Sequence, residues 1–125
     1  MPIRLSEEEF DELVKQAMDS LPEEFLQYME NISVEVRPLP SPRQERRSRN
    51  RRTVLLGLYV GVPLTKKSVS APFEWPEQIF IFQRNIEAVC DTSEEIVQQV
   101  RQTVLHEVGH HFGMNEKDLR RWGYG

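Results

Sequence analysis

The segment QVRQTVLHEVGHHFGM, residues 99–114, carries the strongest structural signal in the chain. Just upstream of it, Thr92 and Glu95 form a capping box, a side-chain pair that commonly starts a helix. Valines recur behind this box at helical spacing, and Gly113 is a residue type that commonly follows the last turn of a helix. The pattern predicts a long helix over 93–112 with one apolar face turned to the core.

All the histidines of the chain lie within this predicted helix. His106 and His110 are four residues apart, so their imidazoles project from one face and can bind one metal ion at about 2.0–2.1 Å. Glu107 lies on the flank of that face, where its carboxylate can reach a metal-bound water without ligating the metal. We therefore predict a metal site with Glu107 as its catalytic residue. His111 points away and is expected to pack or to lie at the rim, and Gly109 allows close approach of another backbone.

A catalytic zinc site needs a third protein ligand and an open position for water. Gly113 allows the chain to reverse after the helix, and Glu116 follows it by three residues. Its carboxylate can complete the set with His106 and His110, so we expect these three residues to hold one Zn²⁺ per chain. Asp118 is the competing candidate, although it can instead accept a hydrogen bond from a ligand histidine. Glu116 can also be explained as an acid that is favoured by the dipole of a final helix.

The other segments predict both helices and strands. Capping and apolar periodicity indicate three further helices, and alternation of apolar and polar residues indicates strands. The predicted elements are a helix over 7–19, a shorter helix from Pro22 to Met29, a strand over 32–37, a short strand or extended segment over 53–62, a loop over 66–76, a strand over 78–83, a helical turn over 86–90 and a final helix from Asn115 to Trp122. This order predicts an α+β fold with a small mixed sheet, N-terminal helices and the long helix, in one domain over 1–125.

Composition excludes several classes of protein. With 38% hydrophobic and 29% charged residues, the chain can bury a small core and is not typical of disorder. No run approaches the roughly 20 apolar residues of a membrane-spanning helix, and the N-terminus does not resemble a secretory signal. The single cysteine, Cys90, excludes an intramolecular disulfide and suits a reducing compartment, so we expect a cytoplasmic protein with no membrane partner. Cys90 is interpreted as a small buried hydrophobe, or alternatively as a thiolate that silences the zinc.

The net charge of −4 is unevenly distributed along the chain. Residues 1–31 contain nine acidic and two basic residues, whereas residues 37–52 contain seven arginines and one glutamate. Such a basic run can attract nucleic-acid phosphates, but it contains no aromatic residue on which a base could stack. We expect 43–52 to be a solvated loop, or to dock on the acidic N-terminal face, and nucleic-acid binding is the weakest interpretation.

With these motifs, the sequence resembles the zincin metallopeptidases. It is most similar to a compact bacterial zincin-like family described as zinc-dependent proteases with a matrix-metalloprotease-like domain. The resemblance rests on the histidine motif and on two weaker segments, LLGLYVGVPLT at 55–65 and QIFIFQRNIE at 78–87. It implies a minimal α+β zincin fold, with zinc on His106 and His110 and an acidic third ligand at 116. The longer metzincins have a histidine at that position instead.

These features together predict a zinc-dependent metallopeptidase. Glu107 would take a proton from the zinc-bound water and pass it to the leaving amine of a peptide or protein substrate. Segment 78–83 is expected at the edge of the sheet, where an extended peptide could add to it, or simply as a sheet-forming strand. Tyr59, Arg84 and Tyr124 are candidate donors to the oxyanion. The alternative is a zinc-stabilised regulatory or protein-binding module, in which zinc contributes mainly folding free energy.

Overall fold

The computed structural model describes residues 2–47, 54–61 and 77–122. Within these ranges the chain combines helices with a small mixed sheet, which confirms the predicted α+β class. The elements in chain order are α1 (Glu7–Asp19), α2 (Glu23–Leu26), a 3₁₀ turn (Gln27–Met29), β1 (Ile32–Arg37), α3 (Pro42–Arg47), β2 (Gly57–Val60), β3 (Glu77–Phe82), α4 (Gln83–Ala88), α5 (Ser93–His111) and α6 (Glu116–Arg121). No helix in the described ranges is long and apolar enough to cross a bilayer.

The described strands form one sheet in the order β1-β3-β2. β1 runs parallel to β3, and β2 runs antiparallel to it. β3 therefore has hydrogen-bonded neighbours on both sides and is the central strand. The expectation that segment 78–83 lies at the edge of the sheet, which came from the resemblance to zincins, was wrong, and the alternative of an ordinary sheet-forming strand is confirmed. The strand's apolar residues indicate cover above and below the sheet and do not indicate its lateral neighbours. The edges of the described sheet are β1 and β2.

The core lies between the sheet and a layer of helices. α5 packs against α1, β2 and β3, and α1 starts at a capping box of Ser6 and Glu9. The fully buried residues of the main core cluster come from both the sheet and the helices: Phe10, Ala17, Phe25, Ile79, Ile81, Ile86, Ile96, Val100, Val104, Leu105 and Val108. Because the valine stripe of α5 faces this core, the rotation of the helix about its own axis is fixed.

The arginine-rich segment was predicted as a loop, and that prediction was wrong for its first part. α3 starts there at a capping box in which the Ser41 hydroxyl accepts from the Gln44 amide at 3.1 Å and the Gln44 side chain accepts from the Ser41 amide at 2.8 Å. Pro42 then occupies the first helical position, which tolerates proline. Residues 48–53, and the loop predicted over 66–76, lie outside the described residues.

A buried carboxylate joins the N-terminal segment to α4. Glu87 is 3% exposed, and its Oε2 accepts hydrogen bonds from the Leu5 amide at 2.9 Å and from Gln83 Nε2 at 3.0 Å. Its Oε1 accepts from Arg84 Nη1 at 2.7 Å. Burial raises the pKa of Glu87, but these hydrogen bonds and the Arg84 charge act more strongly together, so the pKa lies below its ordinary value. This cluster fixes the start of the chain against α4.

Candidate metal centre

The C-terminal turns of α5 present two histidines on one face. With Val104 and Val108 fully buried in the core, His106 is half-buried and His110 is exposed. Their ring centroids are 4.4 Å apart, and the planes cross at 65°. Burial lowers the pKa of His106, the neighbouring His110 lowers it further and Glu116 opposes both. A lowered pKa favours the neutral imidazole that a metal ligand must be.

The chain reverses immediately after α5. Gly113 has φ +82°, the left-handed conformation that glycine adopts without steric cost, and its amide donates to the His110 carbonyl at 3.1 Å. The Met114 amide then donates to the Gly109 carbonyl at 2.9 Å, which closes the helix end. This turn directs the following residues back toward the histidine face.

Glu116 is the first residue of α6 and faces His110. Its Oε1 lies 3.2 Å from His110 Nε2, and one ligand atom from each of His106, His110 and Glu116 lies within 4.8 Å of the other two. Two ligands bonded to one zinc at about 2.0–2.2 Å cannot be more than about 4.4 Å apart, so closure on a cation requires only small side-chain movements. Two imidazoles and one carboxylate form a donor set typical of catalytic zinc. These residues fit a zinc ion and could hold one.

Asp118, the competing third ligand, has other partners. Its Oδ2 accepts from the Asn115 amide at 3.1 Å, while its own amide donates to the Asn115 side chain at 2.9 Å. Its Oδ1 pairs with Arg121 at 3.1 Å. The hydrogen bond from Asn115, first, and the Arg121 partner lower the pKa of Asp118. Asp118 therefore caps α6, and it does not belong to the group that converges with His106 and His110.

Glu107 lies one residue after His106, on the side of the helix between the histidines and the core. Its side chain is half-buried. Burial raises the pKa of Glu107, and the neighbouring His110 acts in the opposite direction. A carboxylate in this surrounding is a stronger proton acceptor than one in bulk water.

Comparison with known proteins places this geometry in a family. A family model for zincin-like metallopeptidases matches residues 29–124, which is most of the chain. The chain belongs to the zincin-like metallopeptidase family. Among solved structures, this zincin-like chain is similar to a conserved hypothetical protein from T. thermophilus, with a TM-score of 0.55 and 25% identity over 86% of this chain and 94% of the other. No curated protein matches at a significant level. Family membership supports a metallopeptidase type of function and zinc as the metal.

Two of the three candidate oxyanion donors of this zincin-like protein lie in the described residues, and their surroundings differ. Arg84 is paired with Glu87 at 2.7 Å. The Tyr59 hydroxyl is enclosed without a well-formed hydrogen bond among the described residues, and burial, followed by the nearby Glu77 carboxylate, raises its pKa above the usual range. Tyr124 lies outside the described residues.

The remaining histidine and the cysteine take structural positions. The His111 ring stacks on the Tyr59 ring at 4.0 Å, which agrees with the predicted packing or rim position. Cys90 is 3% exposed and precedes the first residue of α5, whereas His106 lies 13 residues farther along that helix, about 20 Å away along its axis. The idea that the Cys90 thiolate silences the zinc was therefore wrong.

Proposed function

We propose that this zincin-like protein is a zinc-dependent peptidase in which His106, His110 and Glu116 hold one zinc ion. The observation that carries the proposal is the convergence of these three ligand atoms within 4.8 Å, with Glu107 on the same helix. Zinc, when bound, supplies a Lewis acid for the scissile carbonyl and lowers the pKa of a coordinated water to about 7.

In this proposal Glu107 is the catalytic residue. Its carboxylate accepts the proton of the attacking water and then donates that proton to the nitrogen of the leaving amine. The position of Glu107 supports this role, because a residue next to His106 in sequence but rotated away from the ligand face reaches the reacting water without competing for the metal.

An extended peptide is the substrate that the sheet favours. β2 packs on α5, and within the described ranges no strand pairs with its outer edge. A peptide that adds to that edge by main-chain hydrogen bonds would run beside the helix that carries the ligands. We therefore move the expected docking strand from β3 to β2.

Metal analysis combined with two substitutions tests the proposal. The purified protein should contain one equivalent of zinc that a chelator removes, and His106→Ala should lose it. Glu107→Gln should keep the zinc and lower the hydrolysis of unfolded protein or peptide libraries by about 10²–10⁴-fold. Hydrolysis that survives Glu107→Gln unchanged, or zinc that survives His106→Ala, would refute the assignment.

A specific observation favours a second candidate, a zinc-stabilised regulatory or protein-binding module. α6 has only six residues, and Glu116 is its first residue. A metal that links α6 to α5 would contribute folding free energy even without turnover. This alternative predicts that zinc raises the thermal midpoint of unfolding strongly while no peptide library is cleaved, and that Glu107→Gln changes neither property.

A further inference from the structure

Two adjacent residues of α5 hold two residues on one face of α6. Glu116 and Leu119 are three apart, so they project from the same side of α6. Glu116 reaches His110, as described above. Leu119 packs against Gly109, which is the residue immediately before His110. The interface between these helices thus includes a pair of neighbouring contacts, one polar and one apolar.

The apolar contact leaves no space for a side chain at position 109. A methyl group placed on Gly109 would lie 2.4 Å from Leu119 Cδ2 and 3.4 Å from Leu119 Cγ. Leu119 is fully buried, so it cannot swing into solvent to make room. The sequence suggested close approach of a backbone at Gly109, and the structure shows that the approaching group is this side chain.

The metal site tolerates a much smaller displacement of its ligands than the displacement that this methyl group would impose on Leu119. Carbon atoms in contact are normally about 3.5–4.0 Å apart, so the leucine would have to move by about 1 Å or more. Ligand distances in a metal site must be correct to within about 0.2 Å. A shift of Leu119 that moves α6 also moves Glu116, which lies one turn away on the same short helix.

We propose that Gly109 is a positioning residue for the third metal ligand, acting through its contact with Leu119. The missing side chain lets α6 approach α5 closely enough for the Glu116 carboxylate to meet the two histidines. The inference rests on the proposed metal site and adds a residue that touches neither the metal nor the substrate.

Zinc affinity, measured by competition with a chromogenic chelator, tests the inference. We expect Gly109→Ala to bind zinc about 10–100-fold more weakly than the wild type, the usual cost of disturbing the support of a ligand. The decisive comparison adds Glu116→Ala. This change should weaken binding strongly in the wild-type background and have almost no further effect in Gly109→Ala, whose Glu116 is already displaced.

A merely structural role of Gly109 would leave the effect of Glu116→Ala equal in both backgrounds, and that result overturns the inference. Should Gly109→Ala fail to fold, the test moves to the Leu119→Ala background, where the leucine no longer blocks the added methyl group. Adding Gly109→Ala there should leave zinc affinity almost unchanged, whereas a further loss of about 10–100-fold would show that Gly109 does not act through Leu119 and would overturn the inference. A wild-type protein that binds no zinc would instead refute the metal site itself.

Discussion

Glu87 and Glu116 are both held by polar neighbours, but the two clusters are completed in opposite ways. Glu87 is 3% exposed, and its oxygens accept hydrogen bonds from an amide, a carboxamide and a guanidinium. The Glu116 side chain is 51% exposed, and it converges with two imidazoles, each of which offers one nitrogen lone pair in its neutral form. The protein itself supplies the donors that satisfy the first cluster, whereas the second brings together ligand atoms that a bound cation would satisfy. The kind of partner, rather than the acid alone, therefore distinguishes the structural carboxylate of Glu87 from the candidate metal ligand Glu116.

The largest effect is expected from Glu87→Ala. This change removes the acceptor for three buried or half-buried donors and should lower the free energy of unfolding by about 3 kcal/mol. Chemical denaturation measures the loss, and zinc affinity should stay at the wild-type value. Glu35→Ala is the matched control, because it breaks an exposed ion pair with Arg37 (3.2 Å) and should cost less than about 1 kcal/mol. A fall in zinc affinity in Glu87→Ala would show that the two clusters are coupled.

The next effect separates the two acids of α6. Glu116→Gln keeps the size of the side chain but removes its charge, and zinc affinity should fall by about 100-fold. Asp118→Asn, which disturbs the cap of the same helix, should leave zinc affinity unchanged and lower only the thermal midpoint. The reverse pattern, with Asp118→Asn losing the metal, would contradict the ligand set of His106, His110 and Glu116.

Acid should remove the contribution of Glu87 in a defined pH range. Because its pKa is lowered on folding, the unfolded state binds more protons, and stability from this group is present above its ordinary pKa of 4.5. It is lost as the pH falls through the lowered value. The difference in unfolding free energy between the wild type and Glu87→Gln should be constant at neutral pH and shrink below about pH 4.5. A difference that grows on acidification would contradict the sign of the shift.

The smallest effect is expected at the turn between the two helices. Gly113→Ala places a side chain at φ +82°, and because a Cβ there meets nothing within 4 Å, the cost is purely conformational. We expect a loss of about 1–2 kcal/mol in the free energy of unfolding. The matched change Gly109→Ala adds the same methyl group where it is blocked, so its effect on zinc affinity should be the larger of the two.

The sequence predicted the elements that depend on local patterns. The bounds of α1, β1 and α6 agree with their capping boxes and periodicity to within a residue or two, and α5 ends one residue earlier than expected. The same dependence on local sequence explains why the candidate metal site could be predicted. His106 and His110 are brought together by helix geometry alone, and Glu116 follows from one turn. The residues of the site could therefore be proposed without knowledge of the remaining fold.

Features that depend on distant residues could not be predicted. The central place of β3 depends on its pairing with β1 and β2, which precede it by many residues, and neither pairing leaves a local mark in the sequence. Glu87 accepts a hydrogen bond from the Leu5 amide, 82 residues earlier in the chain, so no local sequence pattern predicts the contact. The start of α3 is different, because the capping residues Ser41 and Gln44 are close together in the sequence. The surrounding prolines favoured the prediction of a loop there instead.

In the proposed peptidase, the shortness of β2 limits how the protein can select among polypeptide substrates. Its described edge offers four residues, or about 13 Å of backbone, to an incoming chain. Main-chain pairing over that length is indifferent to sequence, so discrimination has to come from a handful of side chains on either side of the scissile bond. Under the proposed function, a short linear motif in an unstructured region would be sufficient for recognition, and a folded target would have to expose only that motif.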